Sequence, residues 1–152
     1  MVIDFNSIEE KRDTTKYLVE FDGSYRRGGS SLGKGEAALE IVRCLVESES
    51  IQDLQALRAA LPIDCNDYYK TGRYFQHLFY EYAATYEYDG KEASGIVTGN
   101  WDFYRDDKHC LDLNGQKVVM LKMWRKSTIE GLIKYLEKNH NAFWKRLKIV
   151  EA

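Results

Sequence analysis

The chain has 152 residues, 44% hydrophobic and 30% charged, with a formal net charge of −2. That is the length of one globular domain able to bury its own core, and the composition excludes disorder. The near-neutral total hides an asymmetry: residues 1–107 carry 12 Lys/Arg against 20 Asp/Glu, whereas residues 108–152 carry 10 against 4. A basic segment joined to an acidic one points to a polyanion partner, nucleic acid or an acidic protein surface.

Cys44, Cys65 and Cys110 are odd in number and have no CxxC spacing, so reduced thiols are expected. The N-terminal MVIDFNSIEEKRD lacks a basic start followed by an apolar run, and no apolar stretch approaches the roughly 18 residues of a membrane helix. A cytoplasmic protein with no membrane partner is the expectation. His77, His109 and His140 share no ligand spacing, so neither a metal site nor a cofactor is expected.

In chain order, KYLVEFD at 16–22 has the β-branched and aromatic content of a strand. The glycine-rich GSYRRGGSSLGKG at 23–35 reads as a loop. Ala38, Ile41, Val42, Leu45 and Val46 recur at helical spacing and predict a helix over 36–48. Ser50-x-x-Asp53 reads as a capping box opening a second helix, with Leu54, Leu57 and Leu61 on one face and Pro62 closing it. DCNDYYKTG at 64–72 reads as a loop. Over 74–86, Phe75, Leu78, Phe79, Tyr82, Ala83 and Tyr86 fit a helix better than alternation, although the aromatic content also suits a strand.

The last third reads as a β-meander closed by a helix. IVTGNWDFYR and HCLDL flank Asp106-Asp107-Lys108, and Asn114-Gly115 separates HCLDL from QKVVMLKMW. Asn-Gly between such runs is a strong hairpin signal because both residues tolerate positive φ. A two-residue loop there pairs Leu113 with Gln116, Asp112 with Lys117, Leu111 with Val118 and Cys110 with Val119. Ser127-x-x-Glu130 reads as another capping box, opening a helix with Ile129, Leu132, Ile133 and Leu136 in a stripe. AFWKRLKIV reads as a short final helical element. The fold class expected is α+β: N-terminal helices packed on a small antiparallel meander with a closing C-terminal helix, all in one domain.

Gly28-x4-Gly33-Lys34-Gly35 imitates a phosphate-binding P-loop, but Gly35 stands where the magnesium-binding Ser/Thr belongs and no buried strand precedes it. The reading kept is that Arg26, Arg27 and Lys34 touch phosphates with the help of helix-start amides. KMWRKST at 122–128 is the stronger signal. Lys122, Arg125 and Lys126 meet the hydroxyls of Ser127 and Thr128 at a helix start, where free amides and the dipole attract anions. Trp101, Tyr104 and Trp124 in the neighbouring strands offer stacking surfaces, or core.

Three segments carry a further resemblance: the helix pair from Gly35 to Leu61, TGRYF at 71–75, and RKSTIEGLIKYL at 125–136. They resemble the C-terminal DNA-binding domain of SeqA, the modulator of bacterial replication initiation that recognises hemimethylated GATC sites, over less than half of the chain. The resemblance implies a backbone contact for Arg73, with Arg125 and Lys126 leading into the closing helix. Where that family has a Thr/Asn-rich loop that reads bases, this chain has VMLKM, and it also has extra hairpin sequence and an N-terminal extension.

The expected function is therefore non-catalytic nucleic-acid binding, to duplex DNA, in a regulatory role. Its contacts are Arg26, Arg27, Lys34, Arg73, Lys122, Trp124, Arg125, Lys126 and Ser127. Two alternatives are weighed beside it. One is a small interaction or inhibitor protein presenting Glu81, Glu87, Asp89 and Glu92 with Tyr80, Tyr82, Tyr86 or Tyr88 to a basic partner. The other is a metal-dependent nuclease built on Asp89-Gly-Lys91 or Asp106-Asp107-Lys108.

Overall fold

A computed structural model describes residues 14–69, 75–82, 85–88, 91–96, 103–104 and 106–152. It has the expected α+β class, with helices and small antiparallel sheets. Strand β1 (Tyr17–Phe21) alternates, turning Tyr17, Val19 and Phe21 inward. It lies between β2 (Ser24–Tyr25) and the last strand of the chain, Leu147–Glu151. Tyr17 opposes Glu151 and Phe21 opposes Leu147, so the first and last described strands lie side by side in one sheet.

Helix α1 (Lys34–Glu49) packs on β1, and Ala37, Ala38, Leu39, Ile41, Val42, Cys44 and Leu45 are all fully buried. Burial on so many sides makes α1 the centre of the molecule. It ends on Ser50, which takes the left-handed conformation at φ 52°. Ser50 thus closes α1 instead of opening the next helix. The cap of α2 (Leu54–Ala60) is Asp53, whose carboxylate accepts from the Ala56 amide at 2.7 Å. The glycine-rich stretch is a loop only as far as Gly33, since Lys34 and Gly35 already belong to α1.

The helix expected over 74–86 is replaced by strands. Phe79–Glu81 forms β3, and Thr85–Tyr88 (β4) pairs with Lys91–Ile96 (β5). Tertiary pairing decided this: β3 completes a sheet by lying against Gln116–Met120 (β7), with Phe79 opposite Met120 and Tyr80 opposite Val119. The hairpin of β6 (Leu111–Leu113) and β7 follows the expected register, Leu111 to Val118, Asp112 to Lys117 and Leu113 to Gln116. Asn114 and Gly115 both have positive φ, as the turn requires. His109 lies in a 3-10 turn (Asp107–His109) before that strand. Within IVTGNWDFYR, Phe103 bridges to Leu121, while Trp101 lies outside the described residues.

Helix α3 (Lys126–Asn139) carries the expected stripe, with Ile129, Leu132 and Leu136 buried. It starts at Lys126, ahead of the proposed capping box, and no side chain caps it. The final element is split: a single turn, α4 (Asn141–Trp144), is followed by strand β8 (Leu147–Glu151). The open edge of β1 supplies the hydrogen bonds that a continued helix would have made internally.

Candidate functional site

The arginine loop does not present its guanidinium groups as the sequence suggested. Arg27, Gly28 and Gly29 all have positive φ, which turns the loop back onto α1. Arg26 reaches Glu40 at 3.3 Å and Glu47 at 3.3 Å, and Arg27 reaches Glu40 at 3.4 Å and Glu36 at 3.8 Å. Arg43 adds a third contact to Glu40 at 2.8 Å. Glu40 is 2% exposed, and three guanidinium groups are what make its ionised burial tolerable. This cluster cements the loop to α1.

Trp124 is core: it is 7% exposed, and its indole N–H donates to the Leu121 carbonyl at 2.9 Å. It offers no stacking face. Arg73 lies outside the described residues.

The start of α3 is held by the turn 65–69. Buried Asn66 donates from Nδ2 to the Met123 carbonyl at 3.0 Å and accepts the Tyr68 amide at 2.9 Å. The Asp67 carboxylate accepts from the hydroxyls of Ser127, at 3.3 Å, and Thr128. An internal carboxylate thus already holds the hydroxyls that the sequence assigned to a phosphate. The exposed Arg125 guanidinium lies 4.8 Å from the centre of the Tyr68 ring, itself 42% exposed.

The other cations expected from the sequence lie around β1 and the two helix starts. Leu32 pairs with Tyr17 at the start of β1, so α1 begins beside that strand. Lys34 Nζ donates to the Thr15 carbonyl at 3.3 Å, and Lys16 Nζ is 3.8 Å from where a Gly33 Cβ would be. On the other flank of β1, Ala152 donates its amide to the Lys16 carbonyl, and Lys126 Nζ lies 3.1 Å from Glu151. The Lys122 carbonyl oxygen sits 3.3 Å from where a Gly35 Cβ would be. Gly35, in the first turn of α1, therefore lies against the backbone of the segment that leads into α3, while Lys16, Lys34 and Lys126 stand around the end of β1 and Arg125 faces Tyr68. Of the residues expected from the sequence, Lys34 and Lys126 lie near the end of β1, Lys122 meets α1 through its backbone carbonyl, and Arg26 and Arg27 turn to α1; Lys16, which the sequence reading did not include, lies beside Gly33. The signal for Lys16 was its place just before a strand that pairs with the basic C-terminal segment.

The catalytic alternatives find little chemistry. No group of three His, Cys, Asp or Glu side chains able to hold a metal occurs among the described residues. Asp89 lies outside them, while Asp106 holds His109 at 2.7 Å and Asp107 is ion-paired with Lys117. His109 has a carboxylate on each ring nitrogen, Asp106 on Nδ1 and Glu36 on Nε2 at 3.0 Å, so neither nitrogen faces a substrate. Burial pushes the Cys44 and Cys65 thiols up to about 12, far from a reactive thiolate. A cleft of about 380 Å³ beside Cys110 is lined by Asp107, Asp112 and Lys117, whose opposite charges meet each other. The acidic segment 81–92 is described in part, and Asp89 again falls outside. No described helix is long and apolar enough to cross a membrane.

Compared with protein-family models, curated proteins and solved structures, this chain matches none.

Proposed function

We propose that this protein binds a nucleic acid through its phosphate backbone, at the end where α1 and α3 begin. The observation that carries the reading is the approach of the two helix starts, Gly35 of α1 against the Lys122 carbonyl that precedes α3, with Lys16, Lys34 and Lys126 around the adjoining end of β1. Helix starts favour anions, and lysine neutralises phosphate as a point charge. The pairing of Lys126 with Glu151 is an exposed ion pair, and such pairs exchange readily for a stronger anion. Arg125 over the exposed Tyr68 ring adds a stacking surface of the kind that receives bases. The resemblance at 125–136 to SeqA's DNA-binding domain points in the same direction, and duplex DNA is the form expected to bind best.

The test is fluorescence anisotropy with labelled duplex and single-stranded oligonucleotides at about 50 and 200 mM salt. Affinity is expected to fall steeply with salt. An Arg125→Ala, Lys126→Ala variant is expected to bind at least about tenfold more weakly, each lost phosphate contact also lowering the salt slope by about one. A Lys134→Ala, Lys138→Ala control on the exposed side of α3 is expected to bind like the parent chain. Absence of binding at low salt, or equal affinity of the Arg125/Lys126 variant, would refute the reading.

A further inference from the structure

Two of the three histidines have a strong acceptor on both ring nitrogens, and both stand against helix α1. His109 meets Asp106 at Nδ1, 2.7 Å, and Glu36 at Nε2, 3.0 Å. Its ring stacks on Tyr104 with centroids 4.5 Å apart and planes 8° from parallel. His140 meets Glu49 at Nδ1, 2.7 Å, and the Ala60 carbonyl at Nε2, 2.8 Å. The two side chains are only 13% and 12% exposed, so water has limited access to replace a lost bond.

A neutral imidazole has one N–H and one lone pair, whereas the imidazolium has two N–H groups. Carboxylates and carbonyls only accept. A neutral ring in either position therefore points a lone pair at an oxygen lone pair, and one of its two contacts becomes repulsive. Only the doubly protonated ring satisfies both. The carboxyls agree with a charged partner: the hydrogen bond to His109 holds both Glu36 and Asp106 below the usual carboxylate range, against the opposing effect of burial.

Glu36 lies in the first turn of α1 and Glu49 is its last residue, about 20 Å apart along the axis. At the first end His109 ties α1 to the turn that enters β6. At the second, His140, standing between α3 and α4, ties α1 to the end of α2.

We propose that His109 and His140 are imidazolium clamps on the two ends of α1, making the fold a pH-responsive one that loosens as these rings lose their protons. The charged neighbours are consistent with two separate clamps. Around His109 stand Asp106, Glu36 and the Tyr104 hydroxyl, with Arg27 on Glu36 at 3.8 Å, Lys108 adjacent and Arg43 on the carbonyls of Lys108 and Cys110. Around His140 stand Glu49 and the Tyr135 ring, 6.0 Å away, with Asp64 and Cys65 beyond that ring. The contacts exist while both ring nitrogens are protonated, and one contact per clamp is lost when the ring gives up its second proton. This device acts on the fold itself and stands whether or not the nucleic-acid reading holds.

The experiment measures thermal unfolding by circular dichroism at about pH 5.5 and pH 8.5. The parent chain is compared with His109→Gln, His140→Gln and the double variant. The parent chain is expected to lose about 5 °C per clamp between the two conditions, and the double variant to lose that dependence. The ¹⁵N shifts of the two rings in the folded parent chain at the lower pH give a second readout that needs no substitution, and imidazolium values are expected. Equal pH dependence in the parent chain and double variant overturns the proposal. So do neutral-ring shifts for both histidines, which also settles the case in which a variant fails to fold.

Discussion

Gly35, in the first turn of α1, packs directly under the Tyr104 hydroxyl: a β-carbon there would collide with that oxygen and lie 3.3 Å from the Lys122 carbonyl. The absence of a side chain at this residue lets the start of α1 close on the segment that leads into α3. The proposed binding surface depends on that approach. Gly35→Ala is expected to destabilise the fold by about 1–3 kcal/mol in urea unfolding, as overpacking does. Adding Tyr104→Phe removes the nearer obstacle and is expected to recover part of that loss. A double variant no more stable than the sum of the singles predicts would show that the collision is not the cause.

Glu40 is the acceptor on which Arg26, Arg27 and Arg43 converge. Glu40→Ala leaves these guanidinium groups crowded together without their shared carboxylate, although Glu47, Glu36 and the Lys108 and Cys110 carbonyls still accept from them, and a loss of about 1–3 kcal/mol is expected. Equilibrium denaturation checks it. A variant as stable as the parent chain would mean that the arginines find water or other acceptors at no cost.

Among the described residues, three carboxyls are held below their ordinary range: Asp22 by hydrogen bonding to Arg146, and Glu36 and Asp106 by hydrogen bonding to His109. A carboxyl lowered by folding contributes stability above its unfolded value and loses it as pH falls through its folded one. The urea midpoint is therefore expected to drop as pH falls below about 4. Asp106→Asn and Asp22→Asn are expected to flatten that drop, each from one end of the molecule. With the histidine clamps weakening on the alkaline side, the profile is expected to have a maximum between the two limbs.

Burial raises the thiols of Cys44 and Cys65 to about 12, whereas Cys110, half-buried beside its cleft, is raised less. A thiol reagent at neutral pH is expected to modify Cys110 first, and Cys44 and Cys65 only after unfolding. Mass spectrometry of the peptides reads this directly. Rapid labelling of Cys44 in the folded chain would contradict its place inside α1.

Much of the fold was legible because it rests on local chemistry. Apolar residues at helical spacing marked α1 and α3, and Asn114-Gly115 dictated a turn and with it the register from Leu111–Val118 to Leu113–Gln116. Helical spacing misled at Phe79–Glu81, where an open edge of β7 claimed the segment, and the helical reading of the final element failed at Leu147–Glu151, claimed by β1. Strand partners lie far away in the chain, so no short window of residues contains them.

The candidate site divides in the same way. Composition and order alone determined that the chain joins an acidic body to a basic C-terminal segment, that its class is α+β, and that Lys122, Arg125 and Lys126 precede a helix. Only the tertiary structure decided which cations are spent inside the molecule. Arg26 and Arg27 turn to Glu40 because a left-handed loop folds them over α1. Trp124 goes to the core, Asp67 takes the hydroxyls of Ser127 and Thr128, and Lys126 pairs with Glu151, the residue opposite Tyr17. The charge asymmetry is a property of the sequence, whereas which side chains each cation stands beside is set by pairings between residues far apart in the chain, and distance in the fold decides it.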